Sequence, residues 1–295
     1  RMSIFLQLIS SGLAVGAVYG LVALGFTLIY KATRIFNFAV GDFVTIAAFL
    51  CWSAAVSFHL PIGVSILIGL AGGALLGFLS DRFVLRPMIG QPILAIIVMT
   101  LGLSAFLSGL TVLVWGGEAR AYPTFMPTGV VRLGDVVVAK NLIVSFISAL
   151  AIAGILVLFF QQAKAGIAMR ATAEDHEVAQ AAGIRVKNIF SMVWVIAGVV
   201  CTVGGVLLGG ICQVDLLLRD FGLKVIPAVI LGGLESVPGA IIGGLIIGVL
   251  EKLAVGYINP LVGGGIQTCF AYIIMILILV VRPYGLFGLE RIERI

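Results

Sequence analysis

Charge is what this sequence has least of. Of its 295 residues, 11% are charged and 61% are hydrophobic, where a water-soluble domain carries about 25% charged residues. One soluble core cannot hide that much apolar surface, so a soluble globular domain is excluded. Histidine is scarcer still: His59 and His176 are the only two, too few for a histidine metal cluster. The four cysteines, Cys51, Cys201, Cys212 and Cys269, lie in or near apolar runs without CxxC spacing. They read as small hydrophobes, and no metal site is expected. There is no GxxxxGK loop closed by Ser or Thr, no GxSxG and no HExxH, so no catalytic residue and no cofactor are expected in this chain. Active transport would then draw its energy from a partner or an ion gradient. The net charge of +5 sits mostly beside apolar runs, where it orients spans, and gives no reason to expect nucleic acid. The N-terminus lacks a signal-peptide pattern, because its first apolar run continues into a full span.

What is abundant is long apolar runs and glycine. The chain reads as an all-α polytopic membrane protein in the lipid bilayer, a single domain over residues 1–295, since only helices of this length satisfy their own backbone in lipid. Spans are expected at Ile4–Tyr30, from Ile35 to near Phe58, at Pro61–Ser80, Pro92–Trp115, Asn141–Phe160, Ile189–Ile211, Ala240–Tyr257 and Ile266–Val281, about eight in all. Among the 38 glycines, Gly12, Gly16, Gly20 and Gly25 recur at a loose period of four and mark a close packing face. The string GGVLLGG at 204–210 reads the same way. Residues 116–140 are polar and rich in Pro and Gly, with two β-branched runs around Leu133–Asp135 that pair as a small hairpin.

One segment is too short. Phe221–Leu234 is about half a span and ends in LGGLESVPG, Leu231–Gly239. Broken segments of this kind are expected where backbone faces a pathway. IFNFAVGDF, Ile35–Phe43, has similar turn chemistry. We therefore single out Asn37, Phe38, Gly41, Asp42, Gly232, Gly233 and Glu235 as pathway candidates. Asp42 reads equally as a carboxylate at a helix N-terminus, favoured by the helix dipole. Glu251 and Lys252 interrupt another span, and the simpler reading is that they snorkel or pair with neighbouring helices.

Gln161–Lys187 is the longest polar interruption. It carries Lys164, Arg170, Arg185 and Lys187 with Glu174, Asp175 and Glu177. Thr172 with Asp175 forms a capping-box pattern and Gly183 a stop, which together predict a short helix over about 170–183. An alanine-rich face (Ala171, Ala179, Ala182) with mixed charge favours a packed helix over a solvated loop. Placing this stretch in the cytoplasm and alternating the spans puts eleven of the 18 basic residues inside: Lys31, Arg34, Arg82, Arg86, Lys164, Arg170, Arg185, Lys187, Arg282, Arg291 and Arg294. Six fall outside (Arg1, Arg120, Arg132, Lys140, Arg219, Lys224) and Lys252 is unassigned. The bias favours a periplasmic N-terminus and a cytoplasmic C-terminus.

The runs YGLVALGFTLIYKATRIFNFAVGDF, GIAMRATAEDHEVAQAAGIRVKNI with IAGVVCTVGGVLLG, and GLKVIPAVILGGLESVPGAIIGGLIIGVLE resemble the permease subunits of branched-chain amino acid ABC importers, the LivH/LivM type. The ending RPYGLFG is similar too. The likeness covers almost the whole chain in order, and the short N-terminus makes it LivH-like. It implies the broken-helix ABC importer permease fold in a bacterial inner membrane. It also implies a second permease subunit, identical or not, two cytoplasmic ATPase subunits that hold ATP and Mg, and a periplasmic binding protein. Arg170–Gly183 would be the coupling helix in a cleft of the ATPase, matched at Arg170, Ala171, Asp175, Ala179, Gly183 and Ile184, with Glu174 and Glu177 at the same contact. The family commonly reads NFAHGE where this chain has Asn37-Phe38-Ala39-Val40-Gly41-Asp42. That departure leaves the cargo open to urea, short amides and other organic acids. The rival from another class is a stand-alone ion-coupled carrier or channel.

Overall fold

The computed structural model describes residues 2–88, 90–122, 125–133 and 136–288. Arg1, Arg291 and Arg294 of the charge count lie outside the described residues, as do the side chains of His176 and Glu177.

The chain opens with α1 (Met2–Thr33), then α2 (Val40–Trp52), α3 (Ile62–Leu79) and α4 (Ile93–Trp115). Helix α2 runs on through a widened turn at Ser53–Ser57, and α3 through another at Ser80–Leu85. Strands β1 (Val130–Leu133) and β2 (Val136–Ala139) pair antiparallel, Val130 opposite Ala139, which is the expected hairpin. Then come α5 (Lys140–Gln162), α6 (Lys164–Glu174), α7 (His176–Ala181), α8 (Val186–Ile211), α9 (Leu218–Gly232), α10 (Val237–Tyr257), α11 (Asn259–Val262) and α12 (Ile266–Val281). Among the described residues, seven helices are long and apolar enough to cross a membrane, and Cys269–Val281 is a shorter apolar helix. Helix α9 has 15 residues, about 22 Å, against a hydrocarbon core of about 30 Å. It is the half-length element read from the sequence.

Helix α1 is the hub. It is apolar all round and almost wholly buried, while α3, α4 and α5 are mostly exposed and carry Leu, Ile, Val and Phe outward. A helix without a polar stripe belongs in the centre of a bundle; outward aliphatics belong against lipid. Close approach is possible because of the glycine row. A Cβ on Gly16 would sit 2.9 Å from the Gly244 carbonyl oxygen in α10, so any larger residue would push the helices apart. Gly12 and Gly20 meet α10 in the same way, and Gly25 meets α8.

The bundle has two distinct ends. At one, Trp52 Nε1 donates to the Ala121 carbonyl at 2.9 Å and Trp115 Nε1 to Ser53 Oγ at 2.6 Å. Arg120 bridges Val214 through backbone hydrogen bonds of 2.7 and 2.8 Å. The other end gathers the C-terminus of α1, the middle of α6, the α9–α10 turn and residues 283–288. There Leu286 N donates to Leu231 O at 2.8 Å and Phe287 N to Gly232 O at 3.2 Å. The RPYGLFG segment thus satisfies carbonyls that the end of α9 would leave open.

One expectation is corrected. The single helix over 170–183 is two helices. Thr172 is not a cap: it lies inside α6, fully buried, with Oγ1 donating to Ala168 O at 2.8 Å. Met169, Thr172 and Ala173 form the buried stripe of α6, and that stripe must stay helical to reach the bundle. The break falls at Asp175, whose backbone is extended (φ −153°) and whose Oδ1 accepts from Val178 N at 3.0 Å, capping α7. Gly183 does stop the helix, at φ +85°, with Ile184 N returning to Ala179 O at 3.0 Å. Arg219 and Lys224, counted among the outer charges, both belong to α9, where each finds a carboxylate inside the protein.

Candidate functional site

Between α1 and α2 the chain is unwound from Arg34 to Asn37. Asn37 is fully buried and its Oδ1 accepts from Ala39 N at 3.0 Å, a local turn that turns the chain into α2. Phe38 is half-buried and its ring stacks with Phe36. Asp42 follows in the first turn of α2, where the helix dipole favours a carboxylate. It is only 2% exposed. Ser104 Oγ of α4 donates to its Oδ2, and Arg219 Nε of α9 lies 3.6 Å from its Oδ1. Arg219 also donates to Ser104 Oγ at 3.3 Å and Ser108 Oγ at 3.1 Å. Ser104 is about 17 Å along α4 from Ile93, near the middle of a 30 Å core. A charged cluster at that depth persists only where protein or water replaces lipid.

The backbone explains Gly41. It crosses α9 at Gly222 and the Arg219 carbonyl so closely that neither glycine has room for a Cβ. The starts of the two interrupted helices, α2 and α9, therefore touch. Asp42 is enclosed by this crossing, and the half-exposed Arg219 carries the cluster to an accessible face.

The second predicted turn is built alike. Gly232 crosses Gly239 with no space for side chains, and Gly233 takes φ +101° against Gly288. Ser236 Oγ caps α10 by accepting from Gly239 N at 3.1 Å. Glu235 points back to Arg34 and forms an ion pair with it. Arg34, itself in the left-handed region at φ 59°, also reaches the Ala173 carbonyl at the end of α6, at 3.5 Å. Glu235 walls two cavities. One of about 390 Å³ includes Lys31, Phe160 and Arg170; the other, about 610 Å³, includes Arg34, Phe36 and Leu234.

The structure thus brings Glu235 together with Arg170, and joins both turns through Arg34. It does not put Asn37 or Asp42 in the same cavity as Glu235. Arg170 is exposed, with its guanidinium turned back onto the Phe160 and Gln161 carbonyls, where a cation satisfies the end of α5. Glu174 and Asp175 are exposed, Ala171 is half-buried, Ala179 is buried, and Gly183 is exposed. Glu177 is placed on α7 by its backbone alone.

A third cluster joins α1, α9 and α10. Lys224 Nζ donates to Glu251 Oε1 at 2.7 Å, and the fully buried Tyr19 hydroxyl donates to Oε2 at 2.9 Å. Glu251 pairs with a neighbouring helix, as its position in an apolar run required. Sequence reasoning missed Arg34, Ser104, Arg219, Lys224 and Tyr19. The available signal was that Arg219 and Lys224 lie in a helix too short to span, where a charge has somewhere to go.

Comparison with known proteins follows this geometry. The family profile described as "Branched-chain amino acid transport system / permease component" matches residues 8–281. The branched-chain amino acid permease protein BraD of Pseudomonas aeruginosa is 29% identical over 306 residues, covering 99% of this chain and 98% of its own. LivH of Salmonella typhimurium is 31% identical over 309 residues with the same coverage. The fructose import permease protein FrcC of Rhizobium meliloti is 24% identical over 251 residues, covering 80% of this chain and 67% of its own. Among solved structures, PsaBC from Streptococcus pneumoniae in complex with Fab matches with a TM-score of 0.51 at 16% identity, over 93% of this chain and 90% of that one, a likeness of fold alone. The chain belongs to the family of permease components of branched-chain amino acid transport systems.

Proposed function

We propose that this chain forms one half of the membrane pore of an ATP-driven importer for branched-chain or related amino acids. The observation that carries the reading is the contact between two interrupted helices at mid-membrane depth. There α2 and α9 begin against each other and Asp42, Ser104 and Arg219 converge. A bundle built only to sit in lipid has no use for that cluster. Family membership sets aside the stand-alone carrier or channel.

Two cytoplasmic ATPase subunits supply energy, a second permease subunit completes the pore, and a periplasmic binding protein delivers the solute. The end bearing Glu235 and α6–α7 faces the cytoplasm. Removing Arg219 and Lys224 from the outer charges sharpens the positive-inside bias behind that orientation. Nucleotide binding draws the ATPases together and moves α6–α7, and the pore alternates between two open states. The pathway runs beside Arg219, with the Gly232–Glu235 turn as its cytoplasmic border. The direct test is to co-express the chain with its cognate ATPase and permease subunits, purify by a tag on this chain, and measure uptake in vesicles. Co-purification of the ATPases with uptake that requires ATP is the expected result. Uptake by this chain alone, driven by a proton gradient, would overturn it.

A further inference from the structure

The Lys224–Glu251 pair is the back wall of a cavity of about 370 Å³ between α1, α9, α10 and the start of α12. That size lies in the range of small-molecule sites. Glu251 is about 21 Å along α10 from the Glu235 end, so the cavity lies in the far part of the membrane, toward the end where Cys212 leaves α8. In the proposed orientation this is the side on which solute arrives.

The lining is unusual for a lipid-spanning helix face. The inner pair, with side chains 11% and 8% exposed, neutralises itself. Asp220, Lys252 and Asp215 line the same cavity. Asp220 and Lys252 make no ion pair among the described residues, and Asp215 uses Oδ1 to accept from Leu217 N at 3.0 Å. Charges of both signs that make no ion pair among the described residues are costly against lipid and inexpensive against a ligand that carries the opposite pair. A neutral solute would leave both unmatched, and a singly charged one would leave one.

We infer that this cavity is a binding subsite for a zwitterionic solute, its ammonium set toward Asp220 and Asp215 and its carboxylate toward Lys252. The inference rests on the importer reading above and gives its solute a place in this chain; urea and simple amides, left open by the sequence, do not fit this charge pattern. Lys224 and Glu251 hold the wall and position α9 against α10.

Cys212 is exposed, lines the same cavity and serves as a native reporter. Partial burial pushes its thiol above the usual range, so labelling is slow and is run with excess reagent at about pH 7, where leucine amide keeps its ammonium. In the assembled transporter carrying Cys269→Ser, the rate of Cys212 alkylation by N-ethylmaleimide is followed with leucine, phenylalanine or glutamate present. Leucine amide, 4-methylpentanoate and urea are the singly charged and neutral controls. A zwitterion that binds should slow labelling about tenfold at about ten times its dissociation constant, and the controls should not. Asp220→Asn and Lys252→Gln should each abolish that protection. Equal protection by a control, or none by any zwitterion, overturns the inference. Labelling is read without transport, so an absence of ATP-dependent uptake in the parent transporter would count against the importer reading separately.

Discussion

Arg34 and Glu235 stand 201 residues apart in the chain and form an ion pair at one end of the bundle. Through it the unwound segment before α2 is tied to the turn before α10. The same guanidinium touches the end of α6, so one side chain links the proposed ATPase-facing stretch to both broken-helix turns. Both partners are about one-third exposed, which limits the pair's contribution to stability to about 1 kcal/mol. Arg34→Ala and Glu235→Gln should therefore leave the melting temperature of the purified protein nearly unchanged. Each should lower uptake while ATP hydrolysis by the assembled complex continues. An Arg34→Glu, Glu235→Arg exchange should recover part of the uptake. If uptake and hydrolysis fall together in each single variant, the link is one of assembly and not of coupling.

Asp42 is enclosed by Ser104 and Arg219, so its removal frees Arg219 rather than opening a space to solvent. Asp42→Ala should impair uptake and spare assembly with the ATPases. Asp42→Asn keeps the hydrogen bond from Ser104 but loses the charge, so it should fall between. Normal uptake by Asp42→Ala would remove this residue from the pathway.

Much of the fold was legible because each long helix carries its own signal. Twenty or so apolar residues can hardly be read otherwise, and the half-length of α9 was visible by counting. Turn glycines such as Gly183 and Gly233 were legible for the same reason, since a positive φ has few occupants. What could not be read was pairing across the bundle. Thr172 and Asp175 have capping-box spacing, yet burial of the Thr172 stripe moved the break three residues on. Lys224, inside the half-length run, shows no partner until Glu251, 27 residues later, is brought beside it. Local sequence sets which residues turn; only packing of α1 against α9 and α10 sets which charges meet.

The Lys224–Glu251 pair gives a stability prediction. With both side chains nearly enclosed, removing one leaves the other as an uncompensated buried charge, at a cost of about 3–5 kcal/mol. Glu251→Ala should lower the denaturation midpoint in detergent accordingly. The double replacement Lys224→Met, Glu251→Gln should restore most of it, because no charge is stranded and the Gln carbonyl still accepts from the Tyr19 hydroxyl. A double variant as unstable as Glu251→Ala would show that the pair, and not the stranded charge, matters.

Asp175 separates a structural from a docking role. Its Oδ1 caps α7 through Val178 N, and losing such a cap costs about 1 kcal/mol. It is also exposed on the stretch proposed to meet the ATPase. Asparagine caps about as well as aspartate but carries no charge. Asp175→Ala should therefore weaken both α7 and ATPase binding, and Asp175→Asn should weaken binding alone. The measurement is retention of the ATPase on the tagged permease across a salt series, since an exposed charge contact is screened as ionic strength rises. If Asp175→Asn retains the ATPase at every salt concentration as the parent does, the carboxylate makes no charge contact with the ATPase. If Asp175→Ala is also unchanged, the contact lies elsewhere on α6–α7.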